Sequence, residues 1–194
     1  MGTAMNPVGV SELRRRRRGR LQLLVLLLLA IGPMILATCM YRLNFWIPDG
    51  RSYHGQLIGN GQSRTDLGVQ ADEQRWQLLV SAPRQCTADC QHLVYLARQI
   101  HTGLGRDAHR ASHALATALT LDGEYVGKLQ QEYPQLQRYA LDVGRYRKLA
   151  PELDAPMLWI VDPHGNLVLR YDAGVKGKEL LNDLRQLLKL SNIG

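Results

Sequence analysis

The sequence predicts an α/β domain, a central mixed sheet flanked by helices, behind one N-terminal membrane-spanning helix. Three observations carry this. Residues 21–41 hold no charge, and about twenty apolar residues suffice to cross ~30 Å of hydrocarbon as a helix. Residues 75–101, RWQLLVSAPRQCTADCQHLVYLARQIH, set an apolar run, a turn and two cysteines ahead of a helical pattern. Residues 156–171 give an apolar run, a proline-glycine turn and a second run, which reads as an antiparallel pair of strands.

The N-terminal part follows from charge. The chain of 194 residues carries a formal +7, unevenly placed: Arg14 to Arg18 and Arg20 precede the apolar run with only Glu12 against them, and from Arg42 onward 18 basic residues face 16 acidic ones. A nucleic-acid binder needs a basic face on its folded part, and none is supplied, so no nucleic-acid partner is expected. Residues 1–20 read as a disordered basic cytoplasmic tail and 21–41 as the transmembrane helix, with Gly32-Pro33 as a tolerated kink. Only Arg42, Asp49 and Arg51 follow the span closely. The positive-inside rule therefore sets the N-terminus in the cytoplasm and the remainder outside it. The arginine block lacks the Ser-rich lead of a mitochondrial address, which points to a bacterial inner membrane with a periplasmic C-terminal domain. No small-x-small exit site marks a cleaved signal. Leu36-Ala37-Thr38-Cys39 approaches a lipoprotein box, but Thr38 stands where Gly, Ala or Ser is usual, so Cys39 is expected to remain unmodified.

Residues 42–74 are rich in Gly, Asp and Asn and read as a spacer with one short hairpin around 53–58; His54 is expected to be a surface residue. The domain proper is placed at 75–194. After the first strand and helix, Gly103-Leu104-Gly105 stops the helix. Residues 109–119 suit either state and are taken as a strand from their position in a βαβ order. Residues 124–133 suit a helix ended by Pro134. Residues 156–161 and 167–171 are strands joined by the turn at Asp162-Pro163-His164-Gly165-Asn166, where proline pre-sets the first corner. Residues 178–190 close the chain as an amphipathic helix with Leu180, Leu184, Leu187 and Leu188 on one face.

The chemistry centres on Cys86 and Cys90. They lie four residues apart, one turn of the nascent helix and within bridging reach. Helix N-termini favour thiolate over thiol, and Arg84 adds to that while Asp89 opposes it. Two soluble-side cysteines are too few for a disulfide scaffold, so the pair reads as a redox or soft-metal site. His92 would point away from Cys90 on the helix. His101, His109 and His113 read as surface or internally satisfied residues, although His109 and His113 would share a face and make a weak accessory site conceivable. No P-loop, G-x-G-x-x-G, zinc-protease motif or nucleophile elbow is present.

The order strand, dithiol, helix, strand, helix, hairpin, helix resembles a thioredoxin-like domain. Pro156, just before the third predicted strand, is similar to the cis-proline of such domains. That implies a place beside Cys86, shaping a substrate groove. More narrowly, the chain resembles the Sco/SenC family of membrane-anchored cytochrome c oxidase assembly proteins over about residues 74–190. The shared points are the single anchor, the C-x-x-x-C spacing and the Trp159-Ile-Val-Asp162-x-x-Gly165 strand and turn. The resemblance implies two thiolates and a distal histidine that bind copper. It also implies a cytochrome c oxidase subunit or its assembly factors as partner. Two departures stand out. Thr87 and Gln91 replace the prolines that usually follow each cysteine, and Asp154 occupies the expected histidine position; a carboxylate is a poor ligand for Cu(I). Three readings stay open: thiol-disulfide exchange through Cys86 and Cys90 with Pro156 beside them, a Cu(I) metallochaperone using Cys86 and Cys90, and a non-catalytic assembly factor whose disulfide is structural.

Overall fold

The computed structural model describes residues 9–43 and 53–191, which fall into two units divided after Gly50. The first is a single helix, α1 (Gly9–Leu43). Its segment Gln22–Cys39 is long and apolar enough to cross a membrane, and it runs on through Pro33. The basic stretch expected to be unstructured is helical from Gly9. Arginine is a good helix former, and extending a helix already nucleated costs little.

The second unit is a six-stranded mixed sheet of order β1-β6-β5-β2-β3-β4. Its strands are β1 (Gln56–Leu57), β2 (Trp76–Ala82), β3 (Ala111–Thr117), β4 (Gln137–Ala140), β5 (Met157–Val161) and β6 (Leu167–Tyr171). β2, β3 and β4 run parallel, while β5 pairs antiparallel with both β2 and β6. The helices are α2 (Ala88–Gly103), α3 (Gly123–Glu132), α4 (Val143–Leu149) and α5 (Gly177–Leu190), with a 3₁₀ turn at Gly105–Arg110.

β2 is buried at every position because both faces of the sheet are covered. Trp76, Leu78, Val80 and Ala82 join the core under α2 and α5. Leu79 faces the other way with Trp159, Val161 and Tyr146. That alternation is the period of two of a strand. α5 buries Leu180, Leu184, Leu187 and Leu188, as the heptad-like leucine spacing requires. The Asp122 and Asp142 carboxylates cap α3 and α4 by accepting backbone N–H bonds.

Two expectations fail here. The segment read as a spacer is packed onto the domain from Tyr53 onward. β1 pairs with β6 rather than forming its own hairpin, and Leu67 and Val69 are fully buried. The Arg64 guanidinium, buried, donates to Gln77 Oε1 and the Ala71 carbonyl. Short apolar positions between glycines gave no periodicity to find. The region between Tyr133 and Pro156, whose sequence has no clear periodicity, forms β4 and α4. Residues 44–52 lie outside the described residues.

Candidate functional site

β2 ends at Ala82, where its carbonyl accepts from the Ala118 N–H. The chain turns at buried Pro83 and runs through exposed Arg84 and Gln85 into Cys86. Thr87 stands at the N-cap position, and α2 begins at Ala88, so Cys90 falls in its first turn. The two cysteines are joined as a disulfide with Cα atoms 5.1 Å apart. Cys86 is 8% exposed and Cys90 fully buried. What little exposure the pair has thus belongs to Cys86, and its chain neighbours Gln85, Thr87, Ala88 and Asp89 are exposed.

On the opposite face of the sheet from the two cysteines lies a buried polar group. Trp159 Nε1 donates to Ser81 Oγ at 2.8 Å, and that hydroxyl lies near the Tyr146 hydroxyl and the Met157 carbonyl. Burial pushes the Tyr146 phenol up, with the Ser81 bond opposing. Ser81 pairs with Met157 across β2 and β5, which puts Pro156 at the same sheet end as the cysteine loop. Pro156 is half-buried and precedes the first ladder residue, where a missing N–H is harmless. Its peptide bond is trans, not cis as the resemblance implied: there is no cis peptide bond among the described residues.

Asp154, at the expected histidine position, forms an ion pair with Arg84 across the mouth of the site. The two residues lie seventy positions apart. The sequence singled out each for a separate reason and gave no signal of their pairing. The pairing offsets the Arg84 charge expected to favour a Cys86 thiolate. It also ties up the carboxylate that stands in for imidazole.

The histidines lie elsewhere. His92 is exposed on α2, as expected. His101, His109 and His113 gather at the other end of α2. His54 is bound to buried Asp183 through Nδ1 at 2.8 Å, so it is a tether as well as a surface residue. Among the described residues no three His, Cys, Asp or Glu side chains converge as a metal site. The donor set at the cysteine loop is two sulfurs and no imidazole, which does not fit a three-ligand copper site.

A dithiol opening a helix at the end of a parallel strand, in a mixed sheet covered on both faces, defines a thioredoxin-like domain, here behind an N-terminal apolar helix. Residues 76–191 match the family described as transmembrane-like, thioredoxin-like, C-terminal domain, and residues 14–44 match the transmembrane-like N-terminal domain. The chain belongs to this family. No curated protein matches it. Solved structures similar to it include copper-bound ScoI of Arabidopsis thaliana (10% identity, 62% of this chain and 88% of that one, TM-score 0.49). A second is BsSco, a member of the Sco family of cytochrome c oxidase assembly proteins (12%, 72% and 95%, TM-score 0.44). A third is a thiol:disulfide interchange protein from Bacteroides sp. (11%, 70% and 90%, TM-score 0.43).

Proposed function

We propose that this is a membrane-anchored periplasmic thiol-disulfide exchange protein acting in assembly of the copper site of cytochrome c oxidase. The observation that carries the redox part is the Cys86–Cys90 pair itself, joined at the start of α2 with Cys86 8% exposed and Cys90 fully buried. The oxidase part rests on the C-x-x-x-C spacing, the anchor and the Trp159 to Gly165 strand and turn. A purely structural bridge is disfavoured by loop length. Closing so short a loop removes little entropy from the unfolded chain, on the order of 2 kcal/mol at most.

In the reducing direction, the Cys86 thiolate attacks a partner disulfide. A mixed disulfide forms and one partner thiolate leaves. The Cys90 thiolate then attacks the Cys86 sulfur, closing the intramolecular disulfide and releasing the second partner thiolate. Two electrons pass to the partner, and the thiolates take protons from water. The same steps reversed oxidise a partner dithiol. Pro156, at the same sheet end, borders the groove that a partner would enter.

Cys90→Ser in the full chain tests this directly. Without the resolving thiol, Cys86 should accumulate mixed disulfides that vanish on reduction and are absent from Cys86→Ser. Failure of both thiols to react with an alkylating probe after reduction overturns the redox reading. Two further outcomes would redirect it. Anaerobic Cu(I) titration that shows binding dependent on both cysteines assigns copper carriage, with copper as cargo on two thiolates. Full oxidase assembly supported by the double Cys→Ser variant assigns a non-catalytic assembly role.

A further inference from the structure

At the C-terminal end of α2, away from the cysteine pair, three histidines line one cavity of about 440 Å³ together with Arg75, Ser112 and Gln135. His101 comes from α2, His109 from the 3₁₀ turn and His113 from β3. His101 lies eleven positions after Cys90, about 16 Å along the helix axis, so this is a different place from the disulfide.

The hydrogen bonds fix which nitrogen is free in two of the three rings. His101 Nε2 lies 3.1 Å from the carbonyl oxygens of both Ala108 and Ala111. Carbonyls only accept, so Nε2 carries the proton and Nδ1 holds a lone pair. His109 Nδ1 lies 2.8 Å from the Arg106 carbonyl, which by the same rule leaves its Nε2 with a lone pair. His113 is 3% exposed, and its Nε2 has no hydrogen-bond partner. The His101 and His113 ring centroids are 4.9 Å apart.

One ring nitrogen donating to a backbone carbonyl while the other is left bare is how metal-binding histidines are oriented. Imidazole suits borderline transition metals; the cavity lining has no carboxylate for Mg²⁺ or Ca²⁺ and no thiolate for Cu(I). We propose that His101, His109 and His113 form a second site, one that takes a borderline transition-metal dication such as Zn²⁺. The three ligands do not yet converge. His109, exposed on the 3₁₀ turn, swings onto the His101–His113 pair as the ion enters. Of the nearby cations, Arg75 is neutralised by Glu73 and Arg98 lies over the Tyr133 ring. The bound ion then ties α2, the 3₁₀ turn and β3 together.

The test uses the full chain in detergent micelles, with the Cys86–Cys90 disulfide intact and Cys39 alkylated so that no thiol competes. Zn²⁺ alone is titrated against a chromophoric chelator. One ion per chain is expected, with at least tenfold weaker binding in His109→Ala and none in His113→Asn. His109 is exposed, so its variant guards against misfolding of the buried one. Nitrogen shifts of the imidazoles supply a second readout, with Zn²⁺ moving His101 Nδ1 and His109 Nε2. Absence of a retained ion, or retention unchanged in both variants, overturns the proposal, and neither result bears on the disulfide chemistry.

Discussion

Asp183 sits on the buried face of α5 and accepts four hydrogen bonds, from the His54 and Gly55 N–H groups, from His54 Nδ1 and from the Tyr171 hydroxyl. Asp183→Asn turns an amide donor toward those donors, and stranding buried donors should lower stability by about 2–3 kcal/mol; urea unfolding measures it. The His54 bond to Asp183, above all, raises the His54 pKa from 6.5, with the Asp183 and Glu179 charges adding and burial opposing. A raised folded-state pKa means that this stabilisation is complete below pH 6.5 and fades as pH climbs through the raised value. The gap in unfolding midpoint between wild type and His54→Ala should therefore be widest near pH 5.5 and narrower at pH 9. Glu73 behaves oppositely. Burial pushes its carboxyl up, but bonds from Arg75, Gln137, the Arg75 N–H and Ser112 outweigh it and bring the pKa down from 4.5 to about 2. Its contribution is present above pH 4.5 and lost as pH falls toward 2. Glu73→Gln should cost about 1–3 kcal/mol at pH 7 and nearly nothing at pH 2.

At the scale of elements, the segment ahead of β2 behaves as part of the domain. Gly68 has φ +90°, and a Cβ added there would lie 2.5 Å from the Asp142 carbonyl oxygen, which belongs to the loop that caps α4. Gly68→Ala should therefore destabilise by more than about 1 kcal/mol, and Leu67→Ala by about 2–5 kcal/mol, whereas a true spacer would tolerate both. The contrast shows what a sequence can carry. Strong periodicity made α5 readable, and the Pro-His-Gly turn made β5 and β6 readable, because each signal is local. β4 (Gln137–Ala140) is half-exposed along its length and α4 buries Tyr146 alone, so neither has a pattern to see. The cysteine pair was legible from its spacing. The Arg84–Asp154 pair and the His101–His113 approach were not, because only the tertiary fold brings those residues together. His109 and His113, expected on one face, instead reach the same cavity from a 3₁₀ turn and a strand.

For the whole molecule, the disulfide and the anchor make one argument. A pair of thiols persists as a bridge only where the compartment is oxidising, so the reading of Cys86 and Cys90 depends on which side of the membrane the domain occupies. Under the proposed topology, the arginine block ahead of α1's apolar segment sets that side, since the flank beyond it is nearly balanced. Replacing Arg14 to Arg18 and Arg20 with Gln, and inserting four arginines after Leu43, should invert the chain. In spheroplasts, external protease should digest the domain of the wild type and spare that of the inverted protein. Acid-quenched alkylation should find Cys86 and Cys90 bridged in the first and free in the second. Equal digestion of both would place orientation under some other control, and free thiols in a digested wild type would mean that the exported domain is held reduced. That second pattern fits a donor of electrons to its partner, because a protein that reduces others must rest as the dithiol.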